Sequence, residues 1–253
     1  GTLLTLAIDE KWLSAPERKF PVTLDPAIQT DLDVKSIKDA VIYSNQPDTP
    51  HYLDNINRAG YFQSNENSSQ HYTSRSLVKL PLPTLPISSQ IVEARLYLCS
   101  TPGNTYKNNT IGDYGFNYWP IDSDPQHVRY PVKKSIGVYN INAAWNEKTP
   151  TWNNIGSKYD PIPSDFVKYE YDPNNVVKQW EWDITTIAQG WYTGKANNGI
   201  MLKEVDETPN INVKGHSDVS FLSSDVSGTY AKGRPTAVIR YLDSKGLEEY
   251  WTT

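Results

Sequence analysis

Residues 180–203, WEWDITTIAQGWYTGKANNGIMLK, hold a strand end, one short helix and a second strand in a single run. Ile184, Ile187, Ala188 and Trp191 recur at i, i+3, i+4 and i+7, which sets all four on one face of about two helical turns. Asp183 precedes them where an N-cap belongs, because its carboxylate can accept from the free N–H groups of a first turn. Gly194 is a stop signal, and Ala196-Asn197-Asn198-Gly199 is a turn leading into the alternating pair Ile200 and Leu202. The expected element is a short helix near 184–192 that buries its apolar face and caps the open end of a sheet.

Working outward, the composition favours strands. Eight Trp and seventeen Tyr stand against five Phe and one Met, and amphipathic rings suit half-buried strands better than helical cores. The class read from this is all-β. A net charge of -5 over 253 residues carries no electrostatic footprint for nucleic acid or an anionic membrane, so no nucleic-acid partner is expected. The single cysteine, Cys99, excludes an internal disulfide, and no apolar run reaches the roughly eighteen residues of a membrane span. The opening GTLLTLAIDE and closing GLEEYWTT hold neither a signal peptide nor a polar tail, so the chain reads as a piece of something longer.

In chain order, residues 1–36 read as an extended leader with Pro16, Pro21 and Pro26 as hinges. Asp39 to Tyr43 is a strand. The polar stretch from Ser44 to Ser74 reads as a long loop or loose hairpin, and Arg75 to Leu80 as the next strand. From Ile91 to Cys99, Val92, Ala94, Leu96 and Leu98 face one way while Glu93, Arg95, Tyr97 and Cys99 face the other. Residues 101–135 show no period and read as a long loop, of a length that is functional or mobile in most proteins. Ile136 to Asn140, Val219 to Leu222 and Thr236 to Tyr241 are further strands, and Trp145 and Trp152 read as packing residues around a turn. About eight or nine strands with turn signals between them, and no βαβ alternation, predict a two-sheet sandwich or jelly roll.

The pieces then form a recognisable order. Asp39-Ala40-Val41-Ile42, Arg75 to Leu80, Leu85-Pro86, Val92 to Leu98, Val138-Tyr139, Trp145-Asn146-Glu147, Thr151-Trp152-Asn153, Trp182 to Thr185, Gly190-Trp191, Asn198 to Lys203, Phe221 to Ser224 and Arg234-Pro235 resemble the DNRLRE-domain family over about residues 37–241. The resemblance implies a jelly-roll β-sandwich, and similarity to non-catalytic carbohydrate-binding modules of secreted proteins. The flanks, Phe20 to Pro26 and Gly246 to Trp251, look like the pieces that border this domain in bacterial RHS/YD-repeat, wall-associated toxins. Domains are therefore expected at 1–36 (leader), 37–242 (sandwich) and 243–253 (the start of a following repeat region).

Functional expectations follow from both readings. No H-E-x-x-H or G-x-S-x-G is present, and His51, His71, His127 and His216 lack zinc-ligand spacing, so no enzyme is expected. Asp31-Leu32-Asp33 and Asp122-Ser123-Asp124 could each give calcium two oxygens but lack the Gly and Glu of an EF-hand loop, so no cofactor is expected, with a structural calcium as the weaker reading. The long loop offers Tyr114, Tyr118, Trp119 and Tyr130 for sugar rings to stack on, with Asn117, Arg129 and Lys133 to bond hydroxyls. The expected function is thus a carbohydrate- or cell-wall-binding module of a secreted, cell-wall-associated protein, whose partners are a glycan and the neighbouring domains of the same chain. The alternative is a structural domain packed on a toxin shell, with Leu3, Leu6, Leu247 and Trp251 at its interfaces.

Overall fold

A computed structural model describes residues 37–63, 71–100, 133–170, 178–208 and 218–252, all of which belong to one compact unit. The leader expected over 1–36 lies outside them. The strands are β1 (Lys38–Tyr43), β2 (Ile56–Gln63), β3 (His71–Lys79), β4 (Gln90–Cys99), β5 (Lys133–Asn140), β6 (Asp165–Glu170), β7 (Gln179–Asp183), β8 (Ile200–Glu204), β9 (Val219–Leu222), β10 (Thr236–Asp243) and β11 (Gly246–Thr252). Two short helices, α1 (Trp152–Ile155) and α2 (Thr185–Tyr192), and a 3-10 turn at Gly228–Gly233 complete the list among the described residues.

The fold is an all-β sandwich. One sheet runs β6-β5-β8-β3-β2-β9, with β1 also paired to β3; the other runs β11-β10-β4-β7. The chain passes between the sheets at β3–β4, β4–β5, β6–β7, β7–β8 and β9–β10, which is the winding expected of a jelly roll. Between the layers lie Val78, Val138, Leu202 and Phe221 from the larger sheet and Leu96, Leu98, Trp180 and Trp182 from the smaller, all buried. Trp182 also donates from Nε1 to the carbonyl of Ile136 at 2.8 Å, so one side chain bonds the smaller sheet to the larger.

The helix forms where its spacing predicts, and Ile184, Ile187, Ala188 and Trp191 are all buried against the sandwich. Asp183 ends β7, and its Oδ1 accepts from the N–H of Thr185 at 2.8 Å, serving the first turn from within the strand. Three bonds tie α2 to the chain around β4: Thr185 Oγ1 accepts from the N–H of Ala94, Gln189 Nε2 donates to the carbonyl of Ile91, and the Tyr192 hydroxyl donates to the carbonyl of Pro83.

Three features differ from the sequence expectation. The polar stretch 44–74 contains β2, whose identity is masked because Asn57 sits fully buried on a hydrogen bond to Asp39 and because the strand kinks at Gly60. Gly60 has φ +125°, and Ser76 Oγ both accepts from the N–H and donates to the carbonyl of Arg58 in place of a regular ladder. Beyond that kink β8 takes over on the same side of β3, beside Ser76 to Val78, while β1 runs along the opposite side from Ser74 to Lys79. In β4 a register shift opposite Arg240 and Tyr241 turns Val92 outward, 42% exposed, and Ile91 inward. Finally, residues 246–252, expected to open a following region, pair with β10 over seven positions and form an edge of the smaller sheet.

The outer face of the larger sheet is covered too. Ile42, Leu77, Tyr139 and Met201 form a second core with Ile141 and Ile155, under Trp145, Trp152 and Tyr159 of the β5–β6 connection. This is the packing role expected for both tryptophans. Thr151 caps α1 reciprocally with Asn154, which fixes that lid locally.

Candidate functional site

Of the residues expected to hold a ligand, Tyr114, Asn117, Tyr118, Trp119, Arg129 and Tyr130 lie outside the described residues, as do both Asp-x-Asp pairs. Lys133 opens β5 opposite Glu170. Among the described residues no group of three or more His, Cys, Asp or Glu could hold a metal ion.

What the structure brings together is a buried polar cluster on strands of the larger sheet. Lys134 Nζ donates to Glu204 Oε2 at 2.8 Å and to the carbonyl of Tyr61 at 3.2 Å, and Glu204 Oε2 also accepts from the N–H of Tyr61 at 3.2 Å. Burial holds the Lys134 ammonium below its usual pKa while Glu204 pulls the other way. Gly60 leaves room for this pair, since a Cβ there would stand 2.9 Å from Lys134 Nζ. Nearby, Asp218 accepts from Ser74 Oγ at 3.0 Å and pairs with Arg58 at 3.3 Å. Burial raises the hydroxyl pKa values of Tyr43 and Tyr72 on the same patch.

Asp39 is a separate buried acid. Its carboxylate accepts from Asn57 Nδ2 at 2.8 Å, from the N–H of Ser224 at 2.7 Å and from Ser224 Oγ at 3.0 Å, so it locks β1 to β2 and to the turn after β9. Burial nonetheless outweighs these bonds and raises its pKa from 3.8 to about 6. A raised carboxyl pKa means that the folded protein disfavours the charged form. The resulting destabilisation is absent below the unfolded value near 4, grows as pH rises, and is complete above 6; its size is roughly 3 kcal/mol. The difference in unfolding free energy between the wild type and Asp39→Asn should therefore shift by that amount against the wild type between pH 4 and pH 7. Denaturant titrations at several pH values measure it, and a flat difference would refute it.

Two further clusters are outward-facing and saturated. Arg75 makes two bonds to Glu207, at 2.9 and 2.6 Å, lies 4.3 Å from the Trp152 ring, and donates to the carbonyl of Gly156. Lys203 joins the same Glu207 at 3.5 Å and sits 5.0 Å from the Tyr139 ring. Across the smaller sheet, Glu249, Arg240, Glu93, Arg95 and Asp183 alternate in sign as a ladder beside the stacked Tyr97 and Trp251. Such partnered charges steady the sheet and leave little free charge for a ligand.

No protein-family profile matches the chain. It is similar to the tRNA nuclease WapA of Bacillus subtilis, 24% identical over 212 residues, and equally to the tRNA(Glu)-specific nuclease WapA of Bacillus subtilis subsp. natto. The tRNA3(Ser)-specific nuclease WapA of Bacillus spizizenii is 26% identical over 210 residues. Each match covers 80% of this chain but only 7% of the relative, so the chain spans a small fraction of the length of the curated relatives it matches. These relatives overturn three sequence expectations together: the non-catalytic glycan-binding module, the absence of enzymatic activity, and the absence of a nucleic-acid partner. Motif searching and net charge failed for one reason, which is that both were applied to a stretch corresponding to 7% of proteins named for acting on tRNA.

Proposed function

We propose that this chain is a region of a large nuclease toxin whose substrate, at the level of the whole protein, is tRNA. The supporting observation is the similarity over 80% of the chain to three proteins named as tRNA nucleases. Two of them differ in their named tRNA, Glu in one and Ser in the other, yet both are similar to this chain over that share of its length. On this reading the sandwich belongs to what such nucleases have in common, and the choice of tRNA is made outside it. The DNRLRE-like kinship of residues 37–241 is proposed for the sandwich as a fold, and the RHS/YD-repeat resemblance of the flanks supports a secreted, wall-associated parent. Consistent with that setting, no helix among the described residues is long and apolar enough to cross a membrane.

The test is tRNA cleavage by the full-length protein that carries these residues. Incubation with a total tRNA pool should produce discrete fragments of one tRNA, and replacing residues 37–252 by the corresponding stretch of a relative with another specificity should leave that tRNA unchanged. A tRNA pool that stays intact would overturn the nuclease reading. A switch of tRNA upon replacement would instead place specificity within the sandwich.

A further inference from the structure

Lys38 of β1 and Lys79 of β3 stand directly opposite each other on the outer face of the larger sheet, at the edge of the lid over the second core. Like charges so placed destabilise an antiparallel pair. Among the described residues neither ammonium forms an ion pair, in contrast to the saturated charges of Arg75, Lys203 and Arg240. With Leu80, Pro81, Trp145, Asn146 and Glu147 they line an open cleft of about 290 Å³.

The walls of this cleft are held by one turn. The indole of Trp145 donates from Nε1 to the carbonyl of Asn198 at 2.6 Å, and Asn197 Nδ2 donates to the carbonyl of Leu80 at 2.8 Å. Asn197 Oδ1 in turn accepts from the N–H of Gly199 at 3.0 Å. Gly199 has φ +83°, and a Cβ there would lie 2.6 Å from the carbonyl oxygen of Val78, so the turn packs against the β3 backbone in a way that only glycine permits. The ring and the strand positions that carry the two lysines are therefore held relative to each other before any ligand arrives, which lowers the entropic cost of binding at the ring.

We propose that this cleft docks a single-stranded stretch of RNA, with Lys38 and Lys79 against successive backbone phosphates and the Trp145 ring stacked on a base. The inference rests on the tRNA-nuclease reading of the whole protein and deepens it. Two cations against the single carboxylate of Glu147 leave the cleft positive on a chain whose net charge is -5. A half-buried indole beside them offers what a simple anion site lacks, a flat face for a base. Stacking of this kind accepts every base, which agrees with a region shared by relatives of different tRNA specificity.

The experiment measures binding without cleavage, so its failure is separate from that of the nuclease reading. The 253-residue chain is titrated against a short fluorescent oligouridine by anisotropy at several salt concentrations. Affinity should fall with salt, and Lys38→Gln/Lys79→Gln should reduce the log–log slope by about 1.4, two phosphates at about 0.7 each for single strands. Lys38→Arg/Lys79→Arg should restore the slope. An oligonucleotide of equal charge without bases should bind the wild type about tenfold more weakly, the loss expected for one stacked base. The glutamine pair removes a repulsion and should leave the fold intact, which thermal melting checks. Absence of binding, a slope unchanged by the double substitution, or equal affinity for the oligonucleotide without bases would each overturn the proposal.

Discussion

Trp182→Ala is expected to cost about 3–5 kcal/mol. The side chain is 1% exposed, its ring meets Phe221 edge-on at 5.6 Å, and its Nε1 bonds the carbonyl of Ile136 in the opposite sheet. Truncation opens an inter-sheet cavity and leaves a buried carbonyl without its donor. Trp182→Phe separates the two effects, since it keeps most of the ring and should lose roughly 1–3 kcal/mol from the orphaned carbonyl. Chemical denaturation of the three proteins measures both. A midpoint for Trp182→Ala close to that of the wild type would mean that the sheets do not depend on this contact. Trp191 of α2, which the helical spacing marks out first, is 6% exposed and has a buried Nε1 without a partner, so its indole contributes packing alone.

Lys134→Met should be nearly as damaging, at about 3–5 kcal/mol, because it strands a buried carboxylate. Glu204 would keep only the N–H of Tyr61 at 3.2 Å among its present partners. Adding Glu204→Gln should recover a substantial part of the loss, since the remaining group is then neutral and still accepts from Tyr61. This double-variant cycle tells a coupled pair from two independent sites: additive losses would show that Lys134 and Glu204 do not stabilise each other. Expression of soluble protein is the preliminary check, and the unfolding free energy the quantitative one.

How much of this was legible in the residues depends on how local the cause is. The buried face of α2 follows from spacing alone, and so do the alternation of Ala94, Leu96 and Leu98 and the turn at Asn197 to Gly199. In each the signal and its structural result lie within a few residues. β2 escaped because its inner face carries Asn57, which is apolar in effect only once Asp39, eighteen positions earlier, supplies an acceptor. Val92 was misassigned because the bulge in β4 is set by the β10 strand opposite, which the β4 sequence does not record.

The clusters were less legible still. Lys134 and Glu204 are 70 positions apart, and Arg58 and Asp218 are 160 apart, so no spacing rule links either pair. Net charge hid the Lys38–Lys79 cleft, because a sum over the chain says nothing about which cations remain unpaired after folding. By itself, the sequence determined the all-β class, the two-sheet arrangement and the capping helix, since hydrophobic period and turn chemistry act over one element at a time. The tertiary structure alone decided which charges are buried together, which lysines are left facing solvent beside an indole, and where strands kink. Those outcomes depend on register between distant strands, and register is settled only when the sheets pack.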